Sequence, residues 1–417
     1  MIQQWMHSFK KVVLLALFVS FVPFTALSFA QVIAVPATPV PTDPLPKEYL
    51  LFFQEAGSLK MAHFDNSGLV GQPIAYDQNQ SSGVMNTFHS FNFGNTVKTI
   101  AYKMPPIGPR YIEYCQFNRT NVQARQCFNL TQPSAGLLEL TLAAKQDDQG
   151  NVYVFSIVDP NTPPYQAYLD MVKIDSNGQQ VLAVNVAQSQ ASEAEWIDFS
   201  LVPYSNPPQG VVARQGASPR NGAFPPILDL YTVNLTNGTL VQYDDLTSTY
   251  SPPAFVGRFI WEVKVLAGGV LPTGQPEIFL FFTAGNYSVD LAYRDPQGIW
   301  QPSQPIAFSA LDAELYPTTV PQQQILFLTY NKQGNNNIEL WSAVSVDSLK
   351  TRVVNFRSAQ NVPAGDVEML SGQDTRPIAT MENTIKLRLS QSGQITQTIP
   401  VGSTHGTVGN SPIVELP

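Results

Sequence analysis

One turn recurs along this chain at a nearly constant interval, and that recurrence restricts the fold more than any other feature. Each copy is an alternating apolar run, a short turn of Asp, Asn and Ser usually closed by Gly, and a second alternating run. Five copies carry the full pattern: Phe64-Asp65-Asn66-Ser67-Gly68, Ile174-Asp175-Ser176-Asn177-Gly178, Leu235-Thr236-Asn237-Gly238, Arg294-Asp295-Pro296-Gln297-Gly298 and Ser390-Gln391-Ser392-Gly393. A turn around Arg119-Thr120 and the turn Asp347-Ser348-Leu349-Lys350 fill the two gaps. The seven hairpins so marked lie about 54 residues apart, and a fixed period of that length signals an array of like units.

A second repeat lies between the hairpins: an apolar run with an acid inside it. It reads Leu138-Glu139-Leu140, Ile197-Asp198-Phe199, Trp261-Glu262-Val263, Ala313-Glu314-Leu315, Val367-Glu368-Met369 and Val414-Glu415-Leu416, with Phe88-His89-Ser90 in the first interval. Apolar runs of five to nine residues dominate, turn formers interrupt every candidate helix, and no 3.6-residue period is sustained, so the chain is expected to be all-β. The two repeats together fit a seven-bladed β-propeller with four strands per blade, the acid-bearing run innermost and the hairpin joining the outer two. The first blade would begin at Tyr49 and take its inner strand from residues 411–417, closing the ring by joining the two ends of the array. A pair of β-sandwich domains is the other architecture that such strands allow.

Residues 1–30 read as a signal peptide. Lys10 and Lys11 precede an apolar stretch from Val12 to Leu27, and Ser28-Phe29-Ala30 offers small residues for cleavage before Gln31. The alternative is a retained anchor, but that stretch is short of the roughly 20 residues a spanning helix needs. Residues 31–46 form a Pro-rich linker, leaving 47–417 as one propeller, and no later segment could span a membrane. Charged residues are only 13% of the chain, with 34 Gln and 25 Asn among the polar residues that replace them. A net charge of -8, with no Lys/Arg cluster past the leader, argues against nucleic acid. In an exported chain Cys115 and Cys127, on either side of the Arg119-Thr120 turn, should form a disulfide.

The chain resembles the broad propeller superfamily that includes kelch and WD-repeat proteins. The resemblance covers residues 47–417 and is architectural, with Glu277 to Trp300 the most kelch-like stretch. Ala284-Gly285 stands where kelch has a double glycine, no blade carries a Trp-Asp signature, and Asp295 and Gly298 are one residue too far apart for a sialidase Asp-box. No family function is carried onto individual residues.

Motifs for cofactors, metals and nucleophiles are absent from the sequence, so no catalytic residue, cofactor or metal is assigned. The sequons at Asn118, Asn129, Asn234, Asn237 and Asn286 are about what chance supplies in a chain this rich in Asn, Ser and Thr. Two candidate sites remain. Glu139, Asp198, Glu262, Glu314, Glu368 and Glu415 would ring the mouth of a central channel. There they could attract a cation, supply an acid/base pair to a polysaccharide hydrolase or lyase, or bond neighbouring strands structurally. The second site is a loop face with the proline pairs Pro105-Pro106, Pro163-Pro164, Pro225-Pro226 and Pro252-Pro253. Arg110, Tyr111, Tyr165, Tyr168, Arg214, Arg220, Phe224, Tyr250 and Phe255 surround them, and Tyr and Arg are enriched in binding hot spots. The reading favoured is an exported, non-enzymatic module that binds a protein or glycan at a cell surface or in a periplasm.

Overall fold

All described strands belong to Ala34–Pro417, one of two units into which the chain divides. The computed structural model describes residues 48–301 apart from 56–57, 66–67, 78–83, 104, 106–107, 135–138, 160–165, 191–193, 217–226, 247–259 and 285–287. From 302 onward it describes the backbone of the strands alone. The expected leader and linker lie outside the described residues.

The strands form seven sheets, with every pair antiparallel. The first contains β1 (Glu48–Glu55), β2 (Ser58–Asp65), β3 (Gly68–Leu69) and β4 (Ile74–Asp77). The second runs β5 (Val84–Phe93), β6 (Thr96–Lys103), β7 (Tyr111–Asn118), β8 (Asn121–Asn129). The third runs β9 (Glu139–Gln146), β10 (Val152–Asp159), β11 (Gln166–Ile174), β12 (Gln180–Gln190). The fourth is β13 (Ala194–Leu201), β14 (Gln209–Gly216), β15 (Ile227–Asn234), β16 (Leu240–Asp245). The fifth is β17 (Ile260–Val270), β18 (Pro276–Ala284), β19 (Ser288–Arg294), β20 (Trp300–Phe308). The sixth is β21 (Asp312–Pro317), β22 (Ile325–Tyr330), β23 (Ile338–Ala343), β24 (Asn355–Ala359). The seventh shows β25 (Ile378–Met381), β26 (Ile385–Leu389) and β27 (Ile395–Pro400); Val367-Glu368-Met369, expected beside them, lies outside the described residues. The chain then returns to the first sheet, where β28 (His405–Thr407) and β29 (Ile413–Leu416) both pair with β1. The register of β29 sets Leu51 against Ile413 and Glu48 against Leu416.

Each of the seven expected hairpins is present as an antiparallel pair, and the turns show why. Asp175 Oδ1 accepts from the Gln179 N–H at 2.7 Å, and the Gly178 N–H donates to the Asp175 carbonyl at 3.0 Å. Asp295 repeats the arrangement, accepting from the N–H groups of Gln297 (3.0 Å) and Ile299 (2.8 Å). Those donors, Ile299 first, hold the Asp295 carboxyl below its ordinary value. Gly178 sits at φ +84, and a Cβ there would meet the Gln116 side chain at 2.1 Å. The positive φ is what favours glycine here, since the end of the Gln116 side chain can move aside.

The core lies between sheets, where alternation sends one set of residues to each neighbour. In the third sheet Leu142, Ala144, Val152, Val154, Val172 and Ile174 pack on Ile100, Tyr102, Ile112 and Tyr114 of the second. The intervening Tyr153, Phe155, Ile157, Leu169 and Met171 pack on Phe199, Val212, Tyr231 and Val233 of the fourth. Comparable clusters join the first sheet to the second around Phe52 and Phe88, and the fourth to the fifth around Leu230 and Leu280. Each fully buried aromatic contributes about 1.5–3 kcal/mol. Burial on both faces explains why the second strands, such as Val152 to Val158, read as continuous apolar runs.

Charged residues reinforce the same seams. Lys98 of β6 is fully buried and donates to the carbonyls of Gly150 (2.6 Å) and Ser176 (3.2 Å), in two turns of the next sheet. Arg294 of β19 pairs with Asp244 of β16 and stacks over Trp300.

Candidate functional site

Of the six acids read as a ring, Asp198 is the one whose side chain is described. It lies in β13, and its Oδ2 accepts from the Val265 N–H of β17 at 2.8 Å, with Ser200 Oγ accepting from the Ala267 N–H at 3.0 Å. Both fasten the fourth sheet to the fifth. Glu139, Glu262, Glu314 and Glu415 fall in β9, β17, β21 and β29, and Glu368 lies outside the described residues. His89 holds the equivalent place in β5. It is 5% exposed, bonds the Leu142 backbone of β9 and stacks on Phe91. Burial first, then the charges of Lys145 and Lys264, lower its pKa to about 3, so the ring is neutral at physiological pH.

The loop-face residues fall into three groups. Tyr165, Arg220, Phe224, Tyr250 and Phe255 lie outside the described residues. Arg110 and Tyr111 stand together at the start of β7, where Arg110 Nη1 donates to the Tyr102 hydroxyl at 3.4 Å, and Tyr168 is half-buried in β11 opposite Gln188. Arg214 is buried within β14. Its guanidinium faces Asp229 of β15 at 3.4 Å, and Asp229 also accepts from Tyr243 (2.8 Å) and Tyr231 (3.3 Å). Burial raises the Asp229 carboxyl pKa against the opposing pull of Tyr243 and Arg214. Burial and the adjacent carboxylate push the Tyr231 hydroxyl up to about 12.

A groove not foreseen from sequence opens where the end of β8 meets the start of β12. It has a volume of about 500 Å³ and is lined by Phe128, Asn129, Thr131 and residues 179–183. Contacts to neighbouring strands tie both of its walls. The Cys115–Cys127 disulfide joins directly paired residues of β7 and β8, with Cα atoms 4.1 Å apart, immediately before Phe128. Phe128 then packs on Tyr114, ring centroids 5.2 Å apart. Across the groove the Gln180 amide donates to the Thr131 carbonyl and accepts from the Thr131 N–H, both at 2.9 Å. Glu113 lies close to the two cysteines, but with both sulfurs in the disulfide no thiolate is available to a metal.

No protein-family model matches the chain, and no curated protein matches it by sequence. Among solved structures it is similar to the BP39L lectin from Burkholderia pseudomallei, at 13% identity and a TM-score of 0.51, covering 85% of this chain and 96% of that one. It is also similar to a puromycin hydrolase, at 12% identity and a TM-score of 0.50, over 89% of this chain. There it spans 57% of the hydrolase's length. At such identities the likeness concerns the fold alone, and the kelch and WD-repeat resemblance narrows to the same point: the chain has a β-propeller-like fold.

Proposed function

We propose that the protein is an exported, seven-bladed β-propeller that binds a glycan or a glycan-bearing partner and catalyses no reaction. The observation that carries this reading is the likeness to a lectin along nearly the whole of that lectin's length. Seven sheets, contacts linking the first six in series from β29 through β5, β9, β13 and β17 to β21, and the return of β29 to β1 support seven blades in a ring. The Cys115–Cys127 disulfide supports export, since such bonds persist in oxidising compartments. The hydrolase or lyase reading draws less support: of the carboxylates it would use, Asp198 serves the backbone of the adjacent strand. The test is a glycan array probed with the purified protein, with a mixture of cell-surface proteins as a second arm. Saturable capture of a glycan is expected; turnover of a polysaccharide by the same preparation would reverse the assignment.

A further inference from the structure

We propose that the groove between β8 and β12 is a binding site for an uncharged sugar ring, a subsite that rests on the glycan-binding reading above. Among the described residues the lining contains no ionisable side chain, so these offer no counter-charge for a carboxylate, phosphate or ammonium ligand, whose desolvation would go uncompensated. What it offers is amides and apolar surface. Asn129 and Gln179 are among the lining residues, and no described residue engages their side-chain amides, each able both to donate to and to accept from a hydroxyl. Phe128 is 36% exposed and Val181 54% exposed. An exposed aromatic, a branched aliphatic and amide-bearing residues in one lining suit a pyranose, which carries C–H groups on its faces and hydroxyls around its rim.

The site is also built in advance. The Gln180 amide bonds the Thr131 backbone in both directions across the groove, Phe128 packs on Tyr114, and the disulfide ties the strand of Phe128 to β7. These contacts reduce what a ligand must order on entering, which favours binding.

The experiment uses the full protein made in a host without N-glycosylation, so that the sequon at Asn129 stays bare. A panel of neutral methyl pyranosides, with sialic acid as the charged comparator, is titrated by ligand-observed NMR. Binding of at least one neutral pyranoside in preference to sialic acid is expected, with Phe128→Ala weakening it at least tenfold and Phe128→Tyr retaining it. Val181→Arg, which adds bulk and charge to the lining from β12, should also weaken it tenfold and serves if Phe128→Ala fails to fold. Unchanged affinity in both variants would overturn the groove assignment while leaving glycan binding intact. Preference for sialic acid would overturn the neutral-ligand claim. No sugar binding anywhere on the array, with a protein captured instead, would remove the glycan reading itself.

Discussion

The Arg214–Asp229 pair shows how much a single buried contact carries here. Both side chains are out of solvent, and two tyrosines complete the carboxylate's bonding. Arg214→Ala would leave Asp229 buried with its main counter-charge gone, and should cost about 3–5 kcal/mol, measurable as a shift in urea midpoint. His89 supplies a pH prediction. Its pKa in the folded chain is about 3, against roughly 6.5 when unfolded. Between those values the unfolded chain binds the extra proton, so stability falls as pH drops below about 6.5 and levels off near pH 3. His89→Gln, which keeps a donor for the Leu142 backbone, should flatten that limb in urea titrations from pH 7 to pH 4. An equally steep limb in the variant would show that other groups cause it.

At the scale of strands, much of the fold was legible because its signals are local. An Asp that accepts from backbone N–H groups two and four residues on, followed by a Gly with positive φ, forms its turn regardless of what packs around it. The acid-bearing runs likewise located β9, β13, β17, β21 and β29. What the sequence hid is made by residues distant in the chain. Lys98 reads as a surface lysine until the turns at Gly150 and Ser176, 52 and 78 residues later, arrive around it. Arg214 reads as part of a long loop because its strand ends two residues later, at Gly216, and its partner Asp229 lies beyond that loop. The groove combines residues near 130 with residues near 180, and only the aromatic after Cys127 hinted at it. Strand β29 gives the test at this scale. Deleting residues 410–417 removes the partner of Glu48–Leu51 and bares an apolar edge. Several kcal/mol should be lost, a large share of the usual margin of about 5–15 kcal/mol. An unchanged melting temperature would show that the pairing contributes nothing.

At the scale of the whole molecule, the two candidate sites read from the sequence each have a direct test. If the loops carrying Tyr165, Arg220 and Phe224 form a contact face for a macromolecular partner, changing all three to Ala should weaken capture by at least about 2 kcal/mol. The melting temperature should hold, since loop-tip truncations cost little. Retained capture would move the contact face elsewhere. For the acids, changing Glu262, Glu314 and Glu368 to Gln should leave stability equal or higher if they crowd a channel mouth, because mutual repulsion is relieved. Marked destabilisation would show that they do what Asp198 does, serving as backbone acceptors between strands.

The pairing of β1 with β29 also has a consequence in time. The two strands are more than 360 residues apart, and ribosomes add roughly 5–20 residues per second. Strand β1 therefore leaves the ribosome tens of seconds or more before its partner exists, with one row of N–H and C=O groups unpaired throughout. During that interval the chain presents a strand edge to anything able to add to it, and the first sheet can complete its pairing only once residue 416 is free. A chaperone that acts on this protein would be needed most at its oldest strand, and a stalled or truncated chain should aggregate through that edge.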